Sequence, residues 1–398
     1  MSPYDTVRSQ GRYPCTGCGV CAAACPSGAI AMVVGHDGFL RPIVYDDRCS
    51  HCGLCVQVCA KFHREDDGSF LEALRTDGHI FAATSLDEDT RRSSASGGAG
   101  FELARFFLAQ GYAACGVRYN AQEQRAEHFV ARELAAFEDS KGSKYLQSHT
   151  VQAFRSLCDG SRYIVFGTPC QIYGIRRWVR TMGIEERVLL VDLFCHGVPS
   201  YGIWRKYLHQ IIGDVAGEAI ASVSFRRPGW GHSMRVEKPG FVYQGAFPKD
   251  HFLYLYLQGV GLMDCCYDCG FHENNCGADI RLGDFWGPRF EGDTKGVSLV
   301  VARTAAGLDA VRSLSASCRV QTATFDELIA SQYGPRIKPV KCHARLLSAF
   351  ADSDRTIGAI TWQFRGPNRA RLLARAALLR WTPRGVKTAL KRVLGRGA

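Results

Sequence analysis

The most constraining feature of this chain is a cysteine spacing that occurs twice within its first sixty residues. The first copy is Cys15-x2-Cys18-x2-Cys21-x3-Cys25, and the second is Cys49-x2-Cys52-x2-Cys55-x3-Cys59. With this spacing, three cysteines of a run bind one iron–sulfur cluster and the fourth binds the other cluster. We therefore expect two 4Fe–4S clusters, one bound by Cys15, Cys18, Cys21 and Cys59, the other by Cys49, Cys52, Cys55 and Cys25.

Two alternatives, disulfides and zinc, explain these runs less well. Disulfides do not require two equal x2-x2-x3 runs, and zinc sites usually show paired C-x2-C motifs rather than triples. Soft thiolate ligands suit iron–sulfur clusters. Residues 1–65 are thus predicted to be a two-cluster domain of the bacterial ferredoxin type, with a small α+β fold.

Length and cysteine content indicate the domain organisation of the chain and its cellular environment. A chain of 398 residues favours two domains plus a tail, and a hydrophobic content of 46% supports a packed core. The first residues lack the apolar segment of a signal peptide, and no apolar run approaches a membrane span. With 18 cysteines, we expect a reducing, cytoplasmic environment.

The net charge of +11 belongs to one end of the chain. Residues 355–398 hold eleven Lys and Arg and no Asp or Glu, and the remaining 38 basic residues match the 38 acidic ones. The asymmetry predicts an interaction tail rather than a nucleic-acid-binding body. Short apolar stripes beside arginines suit a helix on the inner membrane surface, docking to an acidic partner such as a ferredoxin, or a solvated helical extension.

Between these ends, strand and helix patterns alternate. Apolar strand patterns occur at 79–85, 112–119, 162–167, 188–194, 278–287 and 296–303, helical patterns follow 93–100 and cover 169–182 and 200–212, and 219–245 suits a β-hairpin. This alternation predicts an α/β core with a mainly parallel sheet. We expect it to span residues 79–345, followed by a helical tail at 346–398.

A second set of cysteines accompanies this core. Cys170 and Cys195 follow predicted strands, and Cys266-x2-Cys269 is a tight pair. The carboxyl ends of parallel strands lie side by side, where ligands usually bind. Four thiolates could hold a third cluster there, and the alternative is that Cys170 and Cys195 are buried core residues.

Several segments, in order, resemble the β subunit of the deazaflavin-coenzyme (F420) hydrogenase and dehydrogenase family. They are SSASGG, KGSKYLQS, GTPCQIYGIR, DLFCHGVPSYGIWRKYL, CYDC and ADIRLGDFWG. The resemblance covers roughly residues 12–305. It implies FAD in the α/β core and a third 4Fe–4S cluster bound by Cys170, Cys195, Cys266 and Cys269. The pattern does not require Cys265 and Cys276.

The FAD contacts are expected in four places. Ser94, Ser96, Gly97 and Gly98 precede a helix, whose N-terminus favours a phosphate; an ordinary helix cap is the alternative. Lys141, Ser143, Lys144 and Tyr145 could bind the pyrophosphate or flavin carbonyls, or form a solvated loop. Thr168 and Gln171 flank Cys170, and Asp284 could bind the flavin or cap a turn. Neither a GxGxxG nor a P-loop motif occurs.

His196 is the candidate proton donor, because its unperturbed pKa lies near neutrality; a core or cluster-side histidine is the alternative. Trp230, His232 and Trp286 could line a substrate-side loop or the flavin, or be structural. We expect an iron–sulfur flavoprotein oxidoreductase that passes electrons between the clusters and FAD to reduce or oxidise a deazaflavin coenzyme or another small organic substrate. The alternatives are an electron-transfer subunit without its own substrate site, working with a ferredoxin or another redox protein, and a redox accessory protein of polysaccharide biosynthesis.

Overall fold

The computed structural model describes residues 6–63, 71, 74–75, 79–213, 220–226, 231–272, 277–352, 354–363 and 374. The predictions for Trp230, for Cys276 and for the basic segment at 364–373 and 375–398 lie outside these residues. Among the described residues, no helix has the length and apolar character needed to cross a bilayer.

The N-terminal module is built from short elements around the two cysteine runs. Its strands β1 (Ile30–Val34) and β2 (Leu40–Val44) form an antiparallel hairpin, and its helices are α1 (Val20–Ala24), α2 (Leu54–Gln57) and α3 (Ala60–His63). Gly19 and Gly53 start α1 and α2 with φ values of 78° and 73°. Glycine adopts this left-handed conformation without steric cost, so the same turn follows the second cysteine of each run.

Nine of the described strands form one sheet in the order β14-β3-β13-β12-β8-β7-β4-β5-β6. Their bounds are β3 Ile80–Ser85, β4 Ala113–Asn120, β5 Arg125–Ala131, β6 Ser148–His149, β7 Tyr163–Gly167, β8 Val188–Leu193, β12 Ile280–Asp284, β13 Ser298–Ala302 and β14 Cys318–Thr322. The α/β class expected from the sequence is confirmed.

The sheet is mixed, which corrects the expectation of a mainly parallel one. Its centre, β4-β7-β8-β12, is parallel, whereas β13, β3 and β14 pair antiparallel on one side and β4 pairs antiparallel with β5 on the other. Of the central strands, β7 and β8 are mostly buried and mostly apolar, as is typical of strands covered on both faces. The antiparallel neighbours β3 and β13 are also mostly buried and apolar, so composition does not reveal their direction, which depends on their connections.

The described helices of the core lie on both sides of this sheet and after it. They are α4 Glu88–Ser93, α5 Ala99–Ala109, α6 Leu134–Phe137, α7 Val151–Arg155, α8 Pro169–Thr181, α9 Tyr201–Ile212, α10 His251–Leu257, α11 Asp264–Tyr267, α12 Ala305–Ser313, α13 Phe325–Gln332, α14 His343–Ala351 and α15 Ile357–Gln363. In α8, Pro169 occupies the first turn and Thr168 forms a capping box with Gln171, which specifies where this helix begins.

A second, three-stranded antiparallel sheet has the order β11-β10-β9. Its strands are β9 Ser222–Ser224, β10 Ser233–Lys238 and β11 Phe241–Ala246, in the region where the sequence predicts a hairpin. It packs with α9, α10, α14 and α15 around a core rich in aromatic residues, to which Trp204, Phe225 and Phe252 belong. Leu346, Phe350 and Ile360 are buried in the same core, so the tail assigned to 346–398 starts within packed structure.

The N-terminal module is docked firmly on the α/β domain. Val20 of α1 packs against Gly174 of α8, where an added Cβ would lie 2.9 Å from the valine side chain. Gln147 accepts from the Leu40 amide at 2.7 Å, and Thr150 donates to the Cys18 carbonyl at 3.0 Å. This close approach holds the first cysteine run against the carboxyl end of β7.

Candidate redox centre

The N-terminal thiols lie in two mixed groups. Burial raises the pKa of Cys21 well above its usual value, and the charges of Cys18, Cys59 and Cys15 raise it further, with a smaller contribution from Cys55. Burial also raises the pKa of Cys55, and the neighbouring cysteines that add to this are Cys52, Cys25 and Cys49. Each group therefore takes three thiols from one run and one from the other.

The second of these groups is near the surface. Cys25, Cys49, Cys52 and Cys55 line one cavity together with Val44 and Gly53, and Cys52 is exposed. Among the described residues, no three His, Cys, Asp or Glu side chains converge as they would around a single metal ion. A 4Fe–4S cluster differs in its geometry, because each cysteine binds a separate iron atom.

Four thiols of the α/β domain form a third group. Cys170 lies in the first turn of α8 after β7, and Cys195 follows the neighbouring parallel strand β8. Burial raises the pKa of Cys195 to about 12, and the charges of Cys266 and Cys269 add to this. Burial raises the pKa of Cys170 too, with further contributions from Cys18, Cys195 and Cys269. The third group thus lies beside the first N-terminal group.

Cys265 occupies a separate position at the edge of this group. Its hydrogen bond to Cys266 is the largest cause of the raised pKa of Cys266, ahead of burial. Cys265 also lines a small cavity with Tyr13 and Thr16 of the N-terminal module and with Cys269. It therefore lies between the C-x2-C segment and the first cysteine run.

A buried aromatic and charged cluster continues from the third thiol group. Burial raises the pKa of Tyr256 well above its usual value, followed by the charges of Tyr145, Cys195 and Cys266. The ring of Tyr145 stacks on that of Tyr256, with centroids 4.5 Å apart and an interplanar angle of 22°. The Tyr145 hydroxyl lies near Arg226, whose charge partly offsets the effect of burial on the pKa of Tyr145.

Arg226 connects this cluster to the end of β12. Its Nη1 donates to Asp284 Oδ2 at 2.6 Å, and its guanidinium lies 5.4 Å from the ring centroid of Trp286. Burial raises the pKa of Asp284, and Arg226 and the Ser96 hydroxyl partly offset this. Apart from the interaction of the guanidinium with the Tyr145 hydroxyl, Nε and Nη2 of Arg226 lack an acceptor at good geometry within the described residues, although the side chain is buried.

Comparison with known families agrees with both parts of this arrangement. Residues 160–327 match the family model for the C terminus of the β subunit of coenzyme F420 hydrogenase/dehydrogenase, and residues 14–62 match the "4Fe-4S dicluster domain". The chain is therefore similar to F420 hydrogenase/dehydrogenase β subunits over residues 160–327 and to dicluster domains over residues 14–62. The resemblance expected from the sequence is confirmed, and the chain is related to F420 hydrogenase and dehydrogenase subunits.

Two curated relatives cover different parts of the chain. An F420H2 dehydrogenase subunit of Methanosarcina mazei is 26% identical over 223 residues, which are 53% of this chain and 59% of that protein. A subunit of the Na+-translocating ferredoxin:NAD+ oxidoreductase complex of Acetobacterium woodii is 48% identical over 50 residues, 13% of this chain and 14% of that protein. The chain therefore spans about three fifths of the first relative and about a seventh of the second.

A solved structure also aligns with the chain. It is the F420-reducing [NiFe] hydrogenase complex of Methanosarcina barkeri, with a TM-score of 0.45 and 18% identity over 71% of this chain and 90% of that one.

The glycine-rich segment of the F420 β-subunit-like chain is packed against the sheet. A Cβ on Gly97 would lie 2.3 Å from the Ala83 carbonyl oxygen and 2.5 Å from the Ser298 amide, which explains a glycine there. Gly98 begins α5 with φ 88°. The Ser96 hydroxyl donates to the Val297 carbonyl at 2.7 Å, and the Ser94 amide closes α4. Of this predicted set, only Ser96 is brought to Asp284 and Arg226.

The second predicted set of flavin contacts has two different structural roles. Its members are Lys141, Ser143, Lys144 and Tyr145. Lys144 Nζ donates to the carbonyls of Asp139 and Lys141, both at 2.8 Å, and burial lowers its pKa to about 7. Lys141 pairs with Glu138 at 2.7 Å and lies over the Phe101 ring. Both lysines therefore shape their own loop. Ser143 hydrogen-bonds to Tyr145, so this pair belongs to the aromatic cluster.

Three further candidates lie close to the third thiol group. Gln171 accepts from the Thr168 amide at 2.9 Å and donates to Ser148 at 3.0 Å, while the Thr168 hydroxyl lies 3.3 Å from Cys170 Sγ. These contacts start α8 and orient Cys170. His196 Nε2 lies 2.9 Å from the Tyr256 carbonyl oxygen, and burial lowers the pKa of His196. A neutral His196 donates to this carbonyl and positions Tyr256. The cofactor and catalytic roles given to these residues stay predictions.

Arg226, Tyr256 and the buried pair of Asp192 and Arg281 were not predicted from the sequence. Asp192 and Arg281 are joined by two hydrogen bonds, of 2.7 and 2.8 Å, and their side chains are 0% and 1% exposed. One signal was available for this pair, since a charge within an apolar strand such as VLLVDLF needs a buried partner. Tyr256 had no such signal, because its helix is aromatic on several faces.

Proposed function

We propose that this protein is a flavin-containing iron–sulfur oxidoreductase that passes electrons between two N-terminal 4Fe–4S clusters, a third cluster and FAD, and that it reduces or oxidises a deazaflavin coenzyme or another small organic substrate. The observation that carries this proposal is the order of the groups in space. The thiols run from the exposed group of Cys52 through that of Cys18 to Cys170 and Cys195, and Tyr256 begins the aromatic cluster beyond them.

The third thiol group fits a 4Fe–4S cluster in its chemistry. Cys170, Cys195, Cys266 and Cys269 provide four soft sulfur donors, and burial, which raises the pKa of Cys170 and Cys195, disfavours their thiolates in the absence of a cation. Cys170 lies in the first turn of the 13-residue helix α8, where the helix dipole stabilises negative charge.

The aromatic cluster fits a flavin. Tyr145, Tyr256 and Trp286 offer apolar faces, and Arg226 has buried donors that lack partners within the described residues. When bound, FAD exchanges single electrons with metal centres and electron pairs or a hydride with an organic substrate. Tyr256 would exclude water from the approach to Cys195, and His196 would hold Tyr256 in place through its backbone carbonyl.

The exposed thiol group around Cys52, farthest along the series from Tyr256, suits contact with a protein partner. Cys52 and its neighbours Ser50 and His51 are exposed, whereas Cys21 and Cys55 are buried. Electron donors or acceptors of protein size, such as a ferredoxin, can approach the clusters only where the thiols reach the surface. We place the contact with the redox partner at this exposed edge.

The names of the relatives favour a second candidate. Both relatives are named as subunits, one of a dehydrogenase and the other of an oxidoreductase complex. An electron-transfer subunit without its own substrate site would keep the clusters and still depend on another chain for catalysis. The flavoenzyme and the electron-transfer subunit differ in one respect: only the flavoenzyme converts a small molecule as an isolated chain.

Anaerobic reconstitution with iron, sulfide and FAD tests the proposal. The purified chain should retain about one FAD after gel filtration and should oxidise reduced deazaflavin in the presence of an artificial acceptor. The variant C266S/C269S should bind FAD and lose electron transfer to the N-terminal clusters. A chain that binds iron but no FAD would exclude a flavoenzyme. FAD binding without turnover of deazaflavin or other organic substrates would favour the electron-transfer subunit.

A further inference from the structure

The guanidinium of Arg226 is a buried cation with an incomplete set of partners. The residue is 6% exposed. Nη1 is bonded to Asp284 and the guanidinium also interacts with the Tyr145 hydroxyl, while Nε and Nη2 lack an acceptor at good hydrogen-bond geometry among the described residues. A buried charged donor without an acceptor costs more free energy than almost any other polar defect. Such a group in a native fold points to a bound ligand that supplies the acceptors.

The surroundings of Arg226 specify which kind of ligand fits. Trp286 lies beneath the guanidinium, and Tyr145 lies beside it and stacks on Tyr256. Burial lowers the pKa of nearby His232 to about 4, followed by the charge of Arg226, and His232 Nδ1 also lacks a partner among the described residues. The ligand must therefore combine a flat apolar face with hydrogen-bond acceptors along one edge.

The position of this cluster next to the third thiol group indicates which part of the ligand binds there. Tyr256 is an electrostatic neighbour of both Cys195 and Cys266 and stacks on Tyr145, which faces Arg226. A redox-active ring has to lie at this end, close to the third thiol group, whereas phosphates have no such requirement. A planar guanidinium also matches adjacent carbonyl and ring-nitrogen acceptors in a bidentate manner.

We infer that Arg226 binds the isoalloxazine ring of FAD, through acceptors on the ring edge, and not the pyrophosphate. This inference rests on the proposed function. Asp284 holds the guanidinium in a fixed orientation and balances part of its charge. A fixed cation at the ring also favours the more negative, reduced form of the flavin and so raises its reduction potential.

The test compares R226Q with the wild type and with R235Q, using the iron-loaded full chain and three flavins: FAD, FMN and riboflavin. Arg235 lies in β10, is half-buried and pairs with Glu237, so R235Q removes an arginine that has its own acidic partner. R226Q should weaken the binding of all three flavins roughly tenfold or more, and R235Q should leave it unchanged. The midpoint potential of bound FAD should fall, by about 30 mV for each tenfold loss of preference for the reduced form.

Riboflavin distinguishes the ring from the phosphates, because it lacks phosphate. If R226Q weakens FAD and FMN binding but leaves riboflavin binding unchanged, Arg226 contacts phosphate and the inference is wrong. If R226Q binds every flavin as the wild type does, the inference fails and the proposed function stands. If the wild type binds no flavin, the proposed function fails first. Because R226Q leaves Asp284 unpaired, R226Q/D284N is measured alongside and should show the same loss for riboflavin.

Discussion

The thiols of Cys18 and Cys170 are electrostatic neighbours across the boundary between the dicluster domain and the F420 β-subunit-like domain. After burial, the charge of Cys18 raises the pKa of Cys170 more than that of Cys195 or Cys269 does. The backbone at Cys18 is held by Thr150, which precedes α7. The two cysteine systems are therefore parts of one packed unit, as the proposed electron path from the first N-terminal group to the third group requires.

Replacing Cys195 tests this third group directly. We expect C195A to lower the iron content from about twelve to about eight atoms per chain, because one of four ligands is lost while both N-terminal groups stay intact. Iron analysis and electron paramagnetic resonance of the reduced protein measure this. Cys158 is exposed and lies in a separate 3-10 helix at Ser156–Cys158, so C158A should keep the wild-type iron content. Equal iron in C195A and C158A would exclude Cys195 as a ligand.

The buried pair of Asp192 and Arg281 should contribute strongly to stability. Arg281 also donates to the carbonyls of Phe271 and His272, just beyond Cys269. R281M would remove both hydrogen bonds that Arg281 donates to the buried Asp192 carboxylate, which should reduce the free energy of unfolding by about 3–5 kcal/mol. Denaturant unfolding followed by circular dichroism measures this under anaerobic conditions.

The control for R281M is R312M, which breaks the exposed pair of Arg312 and Asp309 and should change the unfolding free energy by less than about 0.5 kcal/mol. The double variant D192L/R281M removes both buried charges and should regain much of the lost stability. If R281M and R312M are equally stable, the buried pair has no special role.

A bulky residue at the exposed edge should slow electron entry from a protein. S50W places an indole beside Cys49 and Cys52, so a ferredoxin can no longer approach the second thiol group closely. Reduction by ferredoxin should slow at least about tenfold, whereas reduction by dithionite should be unchanged because a small reductant needs no docking surface. Stopped-flow absorbance measures both rates. S315W, at another exposed position, should leave both unchanged, and equal slowing by S315W would place the contact elsewhere.

The free energy of unfolding should decrease in mild acid because of the buried side chain of His128. Burial lowers the pKa of this histidine to about 4, although its hydrogen bond to the Phe166 carbonyl at 3.1 Å opposes the shift. Between this value and the unfolded pKa of about 6.5, the unfolded chain binds more protons than the native one, so stability decreases as the pH falls through this window.

For His128 alone, the loss between pH 7.5 and 5.5 is about 1 kcal/mol. Denaturant unfolding at both pH values should show that H128Q depends less on pH than the wild type by this amount. His149 and His232 also have pKa values lowered to about 4 by burial, so part of the dependence remains in the variant. An identical pH dependence of H128Q and wild type would show that His128 does not titrate in this way.

The features predicted best from the sequence are those encoded over short distances. Each cysteine run lies within eleven residues, so its spacing alone places three thiols on one turn of the backbone. The strands β7 and β8 and the helix α8 follow from local apolar patterns and from the cap at Thr168, and their parallel pairing brings Cys170 and Cys195 to one edge of the sheet.

The features missed depend on residues far apart in the chain. The antiparallel flanks of the sheet depend on how β3, β13 and β14 are connected, which strand composition does not reveal. Arg226 meets Asp284 across 58 positions, and Arg281 meets Asp192 across 89. The roles expected for Lys141 and Lys144 were read from charge, whereas both side chains make contacts within their own loop.

The sequence by itself determined the cluster-binding chemistry, because soft sulfur ligands at regular short intervals are suited to little else, and it determined the α/β class through the alternation of apolar patterns. Only the tertiary structure decided the order of the thiol groups in space, the direction of the outer strands and the partners of each buried charge. These depend on long-range packing, in which a side chain meets neighbours that no local pattern specifies.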